Sequence, residues 1–573
     1  MNSYTSNRHA FQDYDHVVLM ASWGIPEEWR KVEYCVEVEV AENDYKRRTE
    51  NIKGEYYASI AALKCFIDNL RSNSSAPRTE LLIFVPDTIL LNEAVRGNYK
   101  SSWNEVKRRE ELYEKLYRAL YRSKTGVAKE LGVNDWREYQ RFVKFVPGVL
   151  SARDDSKIYT WRGKEAYDVI TGVVALHTYD KLNSLADAKR VMIIADTSHG
   201  INYLVTSFIE GIGIGATLYA FNRVIEEKEL EELAICQYNS DPILKSTGIP
   251  SLKLHLLSKT YVVRDSKISL SRLSSIVEDS LRMTGLKNLV KRMNKLWELK
   301  TNSEKTWEEG LCSLQLFLRG VLIWALKISS KVKDKLPSKE ELYSSLDRIQ
   351  VEFKREGARG RVSCNVTYKW GENRPHILVI TMSTLVKMLD KLAEKISICD
   401  EKIGETICDL KRRISSTPIT HTEYLELVQD ALSTVSTGDW LCLSIGNLIS
   451  YVEKIYPEPY LSINVNELEK FKKYVIGKED PTWEKIIDLQ ELQVFKEPHS
   501  RALFMKTSHG KTRVIVPRKE TVGKRPFYAH AGLAYGLEHF CINLSEDKAC
   551  ICLGDTGDVI QLLKRKERNR VKD

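Results

Sequence analysis

Two regimes of hydrophobic patterning divide the 573 residues. In the first half, short, largely apolar runs stand at 16–22 (HVVLMAS), 81–85 (LLIFV), 142–146 (FVKFV) and 191–195 (VMIIA). Runs this short, ended by Gly, Pro or Asp, predict strands buried on both faces. Between them, residues 59–70 (SIAALKCFIDNL) carry a helical period, and residues 104–122 place Leu112, Leu116 and Leu120 on one stripe. Residues 216–221 and 234–238 read as further strands, and 253–263 as a last strand or hairpin. Strands spaced by helices predict a parallel, doubly wound sheet, whose ligands bind outside the carboxyl ends of the strands. That rule directs attention to the residues just after Ala21 and just after Ala195.

Beyond about residue 265 the pattern becomes helical, at 270–299, 307–328, 339–351 and 383–398. Two strands interrupt it, 362–370 and 376–382, joined by Gly371-Glu-Asn-Arg-Pro375, and read as an inserted β-hairpin at 362–382. The expected fold class is therefore α/β plus mainly α, with one domain over 1–265 and a helical one over 266–573. The longest apolar run, 311–328, is interrupted by Gln315, Arg319 and Lys327, which predicts a buried helix and no membrane span. The first sixteen residues lack the hydrophobic core of a signal peptide, so a cytoplasmic protein is expected.

Composition narrows the chemistry only a little. A formal charge of +9 permits an acidic partner such as RNA without demanding one. The 11 cysteines form no C-x-x-C pair, and Cys550 and Cys552 make a lone C-x-C with no partnering ligands beside it in sequence. Reduced thiols and no metal are the expectation. Gly211, Gly213 and Gly215 alternate as in a dinucleotide-binding turn, but they precede an expected strand where the fingerprint requires a helix start.

Two constellations carry chemistry. In Arg525-Pro-Phe-Tyr-Ala-His530, Pro526 suits the first turn of a helix. Its apolar face would continue through Phe527, Leu533, Ala534, Leu537, Phe540 and Cys541. Arg525 at that helix start can meet a phosphate, and His530 can move a proton near neutral pH. On an ideal helix the two lie about 140° apart, so they converge only through the arginine's length or with counterparts from another chain. Lys511, Arg513, Arg518, Lys519 and Lys524 precede the motif and can guide a nucleic-acid backbone, or simply form a solvated loop. The second constellation, Asp196-Thr-Ser-His-Gly-Ile-Asn202, follows a buried strand and offers donors to a phosphate or nucleobase. The same residues also suit a helix cap, and the two roles can coexist.

Four segments occur in order: Ser22-Trp-Gly24, Asp196 to Asn202, Tyr238-Asn-Ser-Asp-Pro242, and Arg525 to Leu533. Together they resemble the CARF–HEPN ribonucleases that accompany type III CRISPR systems. The resemblance implies an N-terminal Rossmann-like CARF domain and a C-terminal helical HEPN domain, both dimeric. It implies an allosteric activator, cyclic oligoadenylate and by preference cyclic tetra-adenylate, held by Ser22, Trp23, Gly24, Thr197, Ser198, His199, Gly200 and Asn202. It further implies metal-independent cleavage of single-stranded RNA to a 2′,3′-cyclic phosphate. Arg525 would stabilise the scissile phosphate, and His530 would act as acid/base or position the 2′-OH. Pro526 departs from the family's frequent polar residue after the arginine. A competing reading is a ligand-gated DNA-binding regulator using the basic helix with Lys287, Lys291, Arg292 and Lys295.

Overall fold

The computed structural model describes most of residues 13–396. Beyond that it describes a two-residue strand at 435–436, strands between 485 and 553, and a few residues at 559–563. The chain divides into two compact units, Met1–Arg272 with Pro337–Thr381, and Leu273–Leu336 with Met382–Asp573.

In the main sheet of the first unit the strands are β1 (His16–Ser22), β2 (Val32–Glu42), β3 (Lys46–Tyr56), β4 (Arg78–Pro86), β5 (Val143–Val146), β6 (Arg190–Asp196), β7 (Glu232–Ser240), β8 (Ser251–Arg264) and β9 (Lys267–Ser269). Their order across the sheet is β9-β8-β7-β6-β1-β4-β5, with β2 on β8 and β3 on β2. β5, β4, β1, β6 and β7 run parallel, and β8 is antiparallel to β7. Chain order runs outward from β1 through β4 to β5, then returns to β6 on its other side. The switch point therefore falls between the carboxyl ends of β1 and β6.

All seven residues of β1 are buried, as the unbroken apolar run requires for a strand covered on both faces. Val17, Leu19 and Ala21 join one core with Ile60, Leu63 and Phe66 of helix α1 (Ser59–Leu70) and Leu116 and Leu120 of α2 (Arg109–Ser123). Toward α3 (Lys164–Asn183) and α4 (Asn202–Ile225), Phe84 packs against His177 and Phe208. Thr178 Oγ1 also lies 3.8 Å from Met20 Sδ.

The expected strand at 216–221 is a correction, for these residues lie inside α4. A helix apolar all round is a buried one, and the unbroken run had the same appearance as a buried strand. The alternating glycines also take on a different meaning. A Cβ on Gly211 would lie 2.7 Å from the Thr171 carbonyl oxygen, and one on Gly215 would lie 2.4 Å from that of Ala175. They let α4 cross α3 backbone to backbone. Within α4, Leu204–Arg223 is long and apolar enough to cross a membrane by length and composition, yet most of it is buried in the core.

The inserted hairpin is displaced from its expected place. Ile349–Glu356 pairs antiparallel with Arg361–Tyr368, while residues 376–382 lie in the helix Pro375–Ile396. The second expected strand, HILVITM, is mostly apolar and serves equally as buried helical turns. The helix expected over 339–351 accordingly stops at Ser345.

In the second unit, helices Ser271–Thr284 (shared at its start with the first unit), Leu286–Leu296, Ser303–Leu318 and Leu322–Val332 occupy the region expected to be helical. The later part of this unit includes a six-stranded antiparallel sheet over Lys485–Leu489, Leu492–Lys496, Leu503–Lys506, Lys511–Ile515, Glu538–Asn543 and Lys548–Leu553. Sequence reading expected helices with one hairpin and missed this meander. The helix expected to run from Arg525 through Cys541 does not extend past residue 537, because Glu538–Asn543 pairs with Lys511–Ile515. Leu492–Lys496 (LQVFK), Lys511–Ile515 (KTRVI) and Lys548–Leu553 (KACICL) are short segments that each carry β-branched residues, a weak strand signal. Arg525 and His530 lie outside the described residues.

Candidate ligand-binding site

Two loops meet at the switch point. Trp23 N–H donates to the Phe84 carbonyl at 2.8 Å, carrying the chain off β1 alongside β4. Gly24 N–H then donates to the His199 carbonyl at 2.7 Å, which ties the loop after β1 to the loop after β6. The second loop is shaped by two side chains. Asp196 Oδ1 accepts from Ser198 N–H at 3.0 Å and closes the turn. Thr197 turns back, its backbone N–H and its hydroxyl both donating to the Tyr238 carbonyl at 2.9 Å. Thr197 thus anchors the loop to β7, and its hydroxyl proton is already committed.

His199 is fixed from three sides. Its Nε2 lies 2.9 Å from the Tyr34 hydroxyl on β2 and 3.3 Å from the backbone N–H of Ser59, at the start of α1. A backbone amide only donates, so Nε2 is the acceptor and the ring proton sits on Nδ1. The ring lies 4.2 Å from that of Trp29, tilted by 32°. Burial pushes the imidazole down to about 4, against the opposing pull of Asp196, so it stays neutral through the physiological range. Burial, with the charges of Asp196 and Glu130 adding to it, holds the Tyr34 phenol above its ordinary value, so it remains a donor. Asp196 itself is buried, and its Oδ2 accepts from Ser59 Oγ at 2.5 Å.

The structure thus brings together Ser22, Trp23, Gly24, Thr197, Ser198 and His199. Asn202 opens α4 directly after this loop, and Gly200 lies outside the described residues. Trp23 is fully buried and meets Trp29 edge-on at 5.1 Å. The aromatic face beside His199 belongs to Trp29. The hydroxyls of Ser22 and Ser198 and the indole N–H of Trp23 are buried with no partner among the described residues. Three orphaned polar groups around one switch point are the arrangement a polar ligand or ordered water would complete. Sequence reading missed Tyr34, Ser59 and Trp29. The alternation in β2 (VEYCVEVEVAE) and the serine heading SIAALKCF were the signals available for the first two.

A mostly parallel sheet with two loops joined at its switch point is of the Rossmann-like class. Residues 18–242 match the family model for the CARF domain of the CRISPR system endoribonuclease Csx1. That match supports a CARF-containing, CRISPR-associated protein, and it spans β1 to the end of β7, including both loops of the site. CARF domains bind cyclic oligoadenylates and typically dimerise. No curated protein matches the chain.

Proposed function

We propose that the chain is a cytoplasmic endoribonuclease of CRISPR antiviral defence, switched on by cyclic oligoadenylate, by preference cyclic tetra-adenylate. The observation that carries the reading is the joined pair of loops at the switch point, inside a segment matching the Csx1 CARF model. A two-fold dimer would present two such sites to one cyclic ligand. Ser198, His199 and the Ser22–Gly24 loop would face it, while Thr197 holds the loop in place. His199 would act as a donor through Nδ1–H, because Nε2 is already occupied as an acceptor.

Cleavage is assigned to Arg525 and His530 of two protomers. The 2′-OH attacks the adjacent phosphorus, the phosphorus–5′-oxygen bond breaks, and the products are a 2′,3′-cyclic phosphate and a free 5′-hydroxyl. Arg525 would offset charge on the phosphoryl oxygens by bidentate contact. His530 would move a proton or position the 2′-OH. For the site to be allosteric, the ligand must bind the active arrangement more tightly than the inactive one.

The test is cleavage of labelled single-stranded RNA without divalent cations, with and without cyclic tetra-adenylate, beside Arg525→Ala and His530→Ala. Activator-dependent cutting that disappears in both variants is expected. Activator-bound wild-type protein that never cuts RNA would refute the ribonuclease assignment.

A further inference from the structure

The chain passes between its two units three times, after Arg272, before Pro337 and after Thr381. Two of these passages fall inside unbroken helices, Ser271–Thr284 and Pro375–Ile396. The third leads into the helix Lys339–Ser345, whose start is fixed by a capping box. Ser338 N–H donates to Glu341 Oε2 at 2.7 Å, and Glu341 N–H donates to Ser338 Oγ at 3.1 Å. On the sensor side each passage is seated on α3 or α4. A Cβ on Gly213 of α4 would lie 2.6 Å from Arg272 Cδ, so the arginine crosses the helix where it has no side chain of its own. Lys339 forms an ion pair with Asp180 of α3, and its Nζ lies 5.9 Å from the Tyr179 ring centre. A Cβ on Gly172 of α3 would lie 2.7 Å from Ile380 Cδ1. We propose that the α3–α4 pair is the lever by which the ligand loop acts on the second unit, with Arg272, Lys339 and Ile380 as its three seats.

The ligand loop and the lever are joined by the chain itself. α4 begins at Asn202, directly after the turn that Asp196 closes, so a shift of that turn displaces the start of the helix. α3 follows α4, because Gly211 and Gly215 bring the two backbones together with no side chain between them to repack. A close-packed crossing of this kind passes displacement on instead of absorbing it. Beyond two of the seats, Leu273 and Met382 continue the same helices into the second unit. The seats differ in kind. Ile380 is buried, and the side chain of Arg272 is long enough to be displaced without breaking the fold. Lys339 and Asp180 are 48% and 28% exposed, a pair worth little to stability that nonetheless fixes where the returning segment stands. The proposal rests on the ligand-sensing reading of the switch point, and it requires that the ligand favour one position of the pair over another. It does not depend on which residues cut RNA.

The test is hydrogen exchange of the full chain, read peptide by peptide in a mass spectrometer, with and without saturating cyclic tetra-adenylate. In the wild-type protein the ligand is expected to change exchange several-fold in residues 271–284 and 375–396. The Gly213→Ala/Lys339→Ala double variant displaces one seat and removes another. It should still bind the ligand in calorimetry and melt near the wild-type temperature, while the ligand-dependent change in both helices shrinks several-fold. Should the double variant lose its fold, Lys339→Ala alone makes the same comparison. A variant that binds the ligand and shows the full wild-type change would overturn the proposal, as would wild-type protein that binds it and changes neither helix. Wild-type protein that binds no cyclic oligoadenylate would overturn the ligand-sensing reading and the lever with it. A ligand-driven change in both helices without RNA cleavage would support the lever and refute only the ribonuclease assignment.

Discussion

The three alternating glycines of α4 form an experiment with its own control. All three sit in the interior of one helix, so replacing each by alanine gains the same intrinsic helix propensity, roughly 1 kcal/mol. They differ only in what the added methyl meets. At Gly215 it would lie 2.4 Å from the Ala175 carbonyl oxygen and 2.7 Å from Thr178 Cβ, both parts of α3 that cannot yield without moving that helix. At Gly211 it would lie 2.7 Å from the Thr171 carbonyl oxygen and 2.6 Å from Val174 Cβ. At Gly213 the nearest atoms, at 2.6 Å, belong to the long side chain of Arg272, which can swing aside. Overpacking of a well-packed helix crossing costs about 1–3 kcal/mol, and more where backbone must separate from backbone. Gly215→Ala should therefore lose roughly 1–2 kcal/mol net, a fall of about 2–8 °C in the melting temperature for a domain of this size. Gly213→Ala should stay level or rise. Thermal melts of the three variants, read by far-ultraviolet circular dichroism, supply the comparison. If Gly215→Ala melts at or above the wild-type temperature, the close crossing of α3 and α4 is not what these glycines are for.

Ser59→Ala removes the hydroxyl that donates to buried Asp196, and should lower stability by about 1–3 kcal/mol in a denaturant titration. Ser59→Thr, which keeps the donor, should recover part of that loss. The pH dependence follows from His199. The unfolded imidazole titrates near 6.5 and the folded one near 4, so below 6.5 the unfolded chain takes up a proton that the folded chain refuses. This contribution is fully present above pH 6.5 and declines as the pH falls toward 4, by an amount on the order of 3 kcal/mol. His199→Gln should flatten that part of a stability–pH profile, and an unchanged slope would refute the assignment. Tyr34→Phe should weaken cyclic-oligoadenylate binding several-fold in calorimetry by removing one of the two groups that hold the His199 ring at Nε2.

The core of the sensor unit was legible from local pattern. Residues 16–22 and 191–195 read as buried strands because every position in them must avoid water, and β1 and β6 lie where those runs fall. The loops that follow these strands were legible for the same reason, since parallel order puts their ends together. What pattern could not show is the scaffold behind the site. Tyr34 and Ser59 reach His199 across 165 and 140 positions of sequence, and no periodicity records such a bond. The strand misread at 216–221 failed on a different ground. A short apolar run carries no period of its own, and only its neighbour α3 decides that it is a helix.

The burial of α4 also bears on how the protein behaves in a cell. Leu204–Arg223 is a span-length apolar helix, most of which the fold buries against α3 and the sheet. Any variant that loosens this packing releases a segment that membranes and insertion machinery recognise. Sedimentation of such a variant with the membrane fraction would then report lost packing, and fractionation of this protein should be judged beside a melting curve.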